Sequence, residues 1–110
     1  MNTILSIIPT DYPNQRNFKI NGVTSDIVLY EANGYVYINS MSRDYLMEIS
    51  KKLGLIDPEI INIIGRERQY LGLSGYMLET NYKSLSGGVK SIKALLKNNA
   101  NLLKIVEKIQ

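Results

Sequence analysis

At 110 residues and 45% hydrophobic content, the chain suits one domain, residues 1–110, that buries roughly two thirds of its surface. It has no histidine, cysteine or tryptophan, which removes the usual neutral-pH general base, the thiolate nucleophile and the nitrogen and sulfur metal ligands. Zinc, haem and triad chemistry, disulfides and any cofactor are therefore not expected, and the net charge of +3 is too small to define a partner unless it is unevenly spread.

It is uneven. Residues 1–59 hold five basic and seven acidic side chains, and residues 60–110 hold eight and three, a net −2 against +5. Such asymmetry favours an acidic partner, either nucleic acid phosphate or an acidic protein face. No apolar run approaches the roughly 20 residues of a membrane span. The opening MNTILSIIPTDYP lacks a basic n-region and a small-residue cleavage site. The expectation is a soluble, cytoplasmic protein.

In chain order, Asn17–Ile20, Ile27–Glu31 and Tyr35–Asn39 are short runs rich in β-branched and aromatic residues, separated by Asn21-Gly22 and Asn33-Gly34. Asn-Gly supplies the consecutive positive φ values of tight hairpins, so these runs predict a meander, with Thr3–Ile8 as a further strand before the turn at Tyr12-Pro13. Helical spacing follows. Ser42 caps a helix with Tyr45, Leu46, Ile49 and Leu53 on its apolar face, and Gly54 stops it in the left-handed conformation. Asp57-Pro58 reads as the start of a second, short helix that ends by Gly65. Residues 68–80 return to extended character, with Ser74-Gly75 as a third hairpin turn. The fold class is thus α+β: a small antiparallel sheet of three to five strands, with hairpins at Asn21-Gly22, Asn33-Gly34 and Ser74-Gly75, packed with three to four helices.

The last helix begins at a cap of Ser84 or Ser86. Gly87-Gly88 in its first turn costs roughly 1 kcal/mol per glycine against alanine, so something approaches the backbone closely there: the sheet, or a phosphate at the helix N-terminus. No complete phosphate-loop motif surrounds the pair, which favours packing. At about 100° per residue, Lys90, Lys93, Lys97, Lys104 and Lys108 lie within roughly 60° of one another if the helix is continuous. Ile92, Leu95, Leu96, Leu102, Leu103, Val106 and Ile109 take the opposite side. Asn98-Asn99 and Asn101 can break this helix in two.

The two halves share a strand, turn, strand, helix outline. In the second half, Tyr82, Ser84, Gly88, Val89, Ser91, Ile92 and Lys93, within residues 74–98, resemble the helix motif of YegP-like duplicated small domains. The resemblance implies a fold of ββα-like units and no activity. The first half lacks the helix motif, and the segment Asp57–Gly65 departs from the repeat. Residues Ile49, Ser50, Leu53, Gly54, Leu55, Ile60 and Ile63 also match helix-turn-helix spacing over 49–63. The second helix of such a motif faces bases and phosphates, and here it would offer Asp57, Glu59 and isoleucines. Only Asn62, Arg66 and Arg68 suit such contacts, and the four isoleucines read better as core.

Eight tyrosines against one phenylalanine favour surfaces that are apolar on one side and wet on the other. Alternation puts Tyr35 and Tyr37 on one face of the hairpin, as a protein interface, a stacking platform for bases or ordinary sheet packing. The carboxylates form no catalytic pair, since Asp44 and Glu48 join Lys51 and Lys52 in a helical surface network. No catalytic or metal-binding residue is expected. Abundant isoleucine, asparagine and lysine fit an AT-rich genome, and with the small size suggest an accessory protein of a phage, virus, plasmid or low-GC bacterium. The expected function is non-enzymatic binding or regulation, through contact of Lys90, Lys93, Lys97 and Lys104, with Arg66 and Arg68 as auxiliaries, to nucleic acid or a complex of nucleic acid and protein. The alternative is a protein-binding inhibitor of the anti-CRISPR kind, using Tyr35, Tyr37 and the sheet. A homodimer through an exposed strand edge is the remaining partner.

Overall fold

The computed structural model describes residues 5–9 and 12–102. Residues 5–9 and 12–40 form the expected meander. β1 (Leu5–Pro9), β2 (Gln15–Ile20), β3 (Val23–Ala32) and β4 (Tyr35–Ser40) pair antiparallel in sequence order. Both Asn-Gly turns hold positive φ at their two central residues, 52° and 84° at Asn21-Gly22 and 53° and 81° at Asn33-Gly34. That pair of values matches the right-handed twist of the flanking strands.

Helix α1 (Arg43–Leu53) follows as the spacing predicts. The Ser42 hydroxyl accepts from the Tyr45 N–H at 3.2 Å, and Gly54 ends the helix with φ 72°. The chain then departs from expectation. Residues 57–65 do not form a helix. Asp57 adopts φ 51°, unlike the extended backbone of an N-cap, and Ile60–Ile63 is a strand, β5. Four β-branched residues in five positions suit a pleated surface better than a helix. No second helix therefore exists within 49–63.

Residues 68–80 are also not a hairpin. Arg66–Leu71 is the short helix α2, stopped at Gly72, and Gly75 opens β6 (Gly75–Glu79) with no strand before it. The side chain of Asn39 on β4 explains the geometry at Ser74. Its Nδ2 donates to the carbonyls of Ser74 at 2.8 Å and Tyr76 at 2.9 Å, tying this turn to the sheet rather than to a neighbouring hairpin arm. Helix α3 (Leu85–Asn98) and a 3₁₀ turn (Ala100–Leu102) complete the described chain.

The result is one six-stranded antiparallel sheet in the order β1-β2-β3-β4-β6-β5. The α+β class holds, with more strand and less helix than expected, since among the described residues only α1 and α3 exceed two turns. Alternation gives the sheet two faces. Phe18, Ile27, Leu29, Val36, Ile38 and Leu78 pack with Tyr45, Leu46 and Ile49 of α1 and Ile92 and Leu96 of α3 in the main core. Each such side chain contributes about 1.5–3 kcal/mol by leaving water. The opposite face carries a smaller cluster of Tyr30, Ile63, Leu71 and Leu73, with Val28, Tyr37 and Met77 against it. Among the described residues no helix is long and apolar enough to cross a membrane.

Candidate functional site

The lysine helix is anchored at both ends by interactions internal to the protein. At the N-terminus, Ser84 is the cap, and its hydroxyl accepts from the Gly87 N–H at 3.2 Å. Glu31, reaching from β3, accepts the Leu85 N–H on Oε2 at 2.8 Å. A carboxylate of the chain itself thus occupies the positive end of the helix dipole, where a phosphate would meet like charge. Gly88 has a different role. A β-carbon there would fall 3.0 Å from Val36 Cγ1, so its absence lets α3 lie close on β4. Gly88 thus serves packing, whereas a β-carbon on Gly87 would meet the capping Ser84 Oγ at 2.9 Å.

At the C-terminus, α3 stops at Asn98. Asn99 caps it, donating its N–H to the Leu96 carbonyl at 3.3 Å and its Nδ2 to the Leu95 carbonyl at 2.9 Å. The backbone then turns through the 3₁₀ segment so that buried Leu102 enters the core, where the Tyr45 hydroxyl donates to its carbonyl. One continuous helix carrying all five lysines is therefore not formed, because burying Leu102 requires the chain to leave the helix axis. Lys104 and Lys108 lie outside the described residues. Lys90, Lys93 and Lys97 remain together on α3, with Lys90 and Lys97 exposed and Lys93 half-buried.

Sequence reasoning missed one member of this surface. Arg16 on β2 shares a cleft of about 470 Å³ with Lys90 and Lys93, floored by Ile7, Leu85 and Val89. Its Nη1 donates to the carbonyls of Pro13 at 2.9 Å and Gln15 at 2.7 Å, which holds the guanidinium at the sheet margin. The signal was present in the alternation of β2, where Arg16 is in phase with the core residues Phe18 and Ile20. Helix α3 itself contains no acidic residue, so the cleft and the helix beside it form a cationic strip.

Arg66 and Arg68 are not part of that strip. Both are exposed on α2, on the far side of the sheet. Arg66 instead borders a concavity of about 490 Å³ with Tyr30, Tyr37, Ile61, Leu71 and Met77. Tyr35 and Tyr37 do share a face, as alternation requires. Tyr35 is 43% exposed, whereas the ring of Tyr37 packs on Tyr30 with centroids 5.8 Å apart and planes tilted by 31°. Burial, followed by the charge of Glu79, the neighbouring Tyr35 and Glu59, raises the Tyr37 phenol above its ordinary value. This side of the sheet is thus apolar and aromatic, with Arg66 at its rim.

Among the described residues no three carboxylates come close enough together to hold a metal ion. The described surface thus presents cations on one face of the sheet and aromatic and aliphatic side chains on the other. No family model, curated protein or solved structure matches this chain.

Proposed function

We propose that this is a non-enzymatic, cytoplasmic binding protein that contacts nucleic acid, or a complex of nucleic acid and protein, along α3. Lys90, Lys93 and Lys97 meet phosphates, and Arg16 extends the contact onto the sheet margin. The observation that carries this reading is the gathering of Arg16, Lys90 and Lys93 around one cleft, beside a helix without acidic residues. The apolar floor of Ile7, Leu85 and Val89 suits a sugar or base edge lying against the chain between phosphate contacts. Arg66 and Arg68 have no part in this contact.

Fluorescence anisotropy with mixed-sequence double- and single-stranded DNA and RNA at two salt concentrations tests it. Three to four phosphate contacts correspond to a log–log salt slope of about −2 to −4. The Lys90/Lys93/Lys97→Glu variant loses binding, and Arg16→Ala lowers the slope by about one contact. Wild-type protein that stays unbound at low salt would refute the proposal.

A second reading rests on the other face. Tyr35, Tyr37, Met77 and Ile61 with Arg66 at the rim have the composition of a protein interface centre. It suits a protein-binding inhibitor of the kind a phage or mobile element carries. Such binding would be nearly independent of salt and would be lost in Tyr35→Ala or Tyr37→Ala.

A further inference from the structure

Strand β5 ends the sheet, and among the described residues no strand pairs with its outer side. Which of its backbone groups point outward follows from two hydrogen bonds. The Glu79 N–H donates to the Glu59 carbonyl at 3.4 Å, and the Thr80 N–H donates to the Val36 carbonyl at 3.1 Å. Alternate residues of β6 therefore serve alternate neighbours: Glu79, Met77 and Gly75 turn towards β5, and Thr80, Leu78 and Tyr76 towards β4. Since Ile61 is opposite Met77 and Ile63 opposite Gly75, the odd-numbered residues of β5 bond inward. The amides and carbonyls of Ile60 and Asn62 face away from the sheet, and continued alternation gives those of Ile64, the residue after β5, the same direction.

Residues 60–64 read Ile-Ile-Asn-Ile-Ile, a palindrome centred on Asn62. A two-fold interface must be self-complementary, and this edge is so in every respect the sequence can supply. We propose that β5 is a homodimerisation edge, pairing antiparallel with β5 of a second copy about an axis at Asn62. In that register Asn62 exchanges backbone hydrogen bonds with Asn62 of the second copy, and Ile60 exchanges them with Ile64. Ile61 stands opposite Ile63, so each isoleucine meets an isoleucine. The single polar side chain meets its own amide, which both donates and accepts.

Two further features select this arrangement. Centring the axis on Ile61 instead would place Ile64 opposite Pro58, which has no N–H to give. Charge also matches, because Glu59 lies at one end of the strand and Arg66 just beyond the other, and antiparallel pairing sets them side by side at both ends of the interface. Ile61 and Ile64, 39% and 64% exposed, lose water in the process, one on each face of the sheet by alternation. Lysine and proline within the strand are among the devices by which natural edges avoid such pairing; residues 60–64 carry neither. The axis leaves both copies of α3 on the same side of one continuous sheet. The dimer itself is independent of what α3 binds.

Sedimentation equilibrium from about 1 to about 300 µM, spanning the dissociation constants of weak dimers, should show the full chain passing from monomer to dimer. Asn62→Pro removes only an outward N–H, keeps the bonds to β6, and should remain monomeric across the range with an unchanged circular dichroism spectrum. The chain has no cysteine, so Asn62→Cys gives an unambiguous second readout. Opposed Cα atoms of a hydrogen-bonded antiparallel pair lie about 5.5 Å apart, within disulfide reach, and this variant should crosslink under mild oxidation while Asn98→Cys on α3 does not. Wild-type protein that stays monomeric at the highest concentration overturns the proposal. So does a dimer in which Asn62→Cys fails to crosslink, and that variant decides alone should Asn62→Pro unfold.

Discussion

Replacing Gly88 by alanine sets two effects of opposite sign against each other. In a helix interior alanine is favoured over glycine by about 1 kcal/mol. Here the new β-carbon would meet Val36 Cγ1 at 3.0 Å and Cγ2 at 3.4 Å, inside the usual carbon–carbon separation of about 3.5–4.0 Å. Val36 cannot give way easily. It is fully buried, its χ1 is stiff, and its backbone is held from both directions. Its N–H donates to the Tyr82 carbonyl at 2.9 Å, and its own carbonyl accepts from the Thr80 N–H at 3.1 Å and the Thr80 hydroxyl at 2.6 Å. The helix must lift instead, an overpacking cost of about 1–3 kcal/mol. The net expectation is a loss of about 1 kcal/mol, or about 4 °C in Tm for a chain of this size. Urea and thermal denaturation measure it. The contact is isolated by a double-mutant cycle, because in Val36→Ala the alanine at 88 enters vacated space. The pair should be more stable than the sum of the single changes by about 1–2 kcal/mol. A Gly88→Ala protein that is more stable than wild type, or a cycle with no coupling, would refute the close-packing account of this glycine.

Substitutions at two other residues test the anchoring of the lysine helix. Tyr45 is 2% exposed, and burial, with Asp26 and Glu48 adding, raises its phenol above the ordinary 10.0. The folded protein therefore holds this proton more tightly than the unfolded chain does. Its contribution is complete below about pH 10 and is lost as pH climbs through the folded value. Tyr45→Phe should flatten that alkaline decline in denaturation experiments, while costing about 1–2 kcal/mol at pH 7, because the carbonyl of buried Leu102 loses its donor. Glu31→Gln keeps an acceptor for the Leu85 N–H but removes the charge at the helix N-terminus. A loss of about 0.3–1 kcal/mol is expected at low ionic strength; Glu31→Ala, which also strands the amide, should cost more.

Features whose cause is local were legible in the chain alone. Asn21-Gly22 and Asn33-Gly34 make hairpins because φ > 0 at two successive residues is cheap for few other pairs, and Ser42, Gly54 and Ser84 bound helices because capping is a matter of neighbours three residues apart. The amphipathic face of α3 and the shared face of Tyr35 and Tyr37 follow from periodicity alone. Other features depended on partners distant in the chain. Ile60–Ile63 is too short for periodicity to separate strand from helix, and it becomes a strand because β6, some fifteen residues later, offers it a ladder. Arg68–Leu71 reads as extended only if Ser74-Gly75 is a hairpin turn, and the Asn39 side chain from β4 is what assigns that turn to another role. The functional surface divides in the same way. Lys90, Lys93 and Lys97 could be grouped from helical spacing, but Arg16 joins them only through the packing of α3 over the sheet margin, and Arg66 and Arg68 are parted from them by the sheet itself. Tertiary structure decided these memberships because a sheet brings together, or holds apart, residues whose separation along the chain carries no information about distance in space.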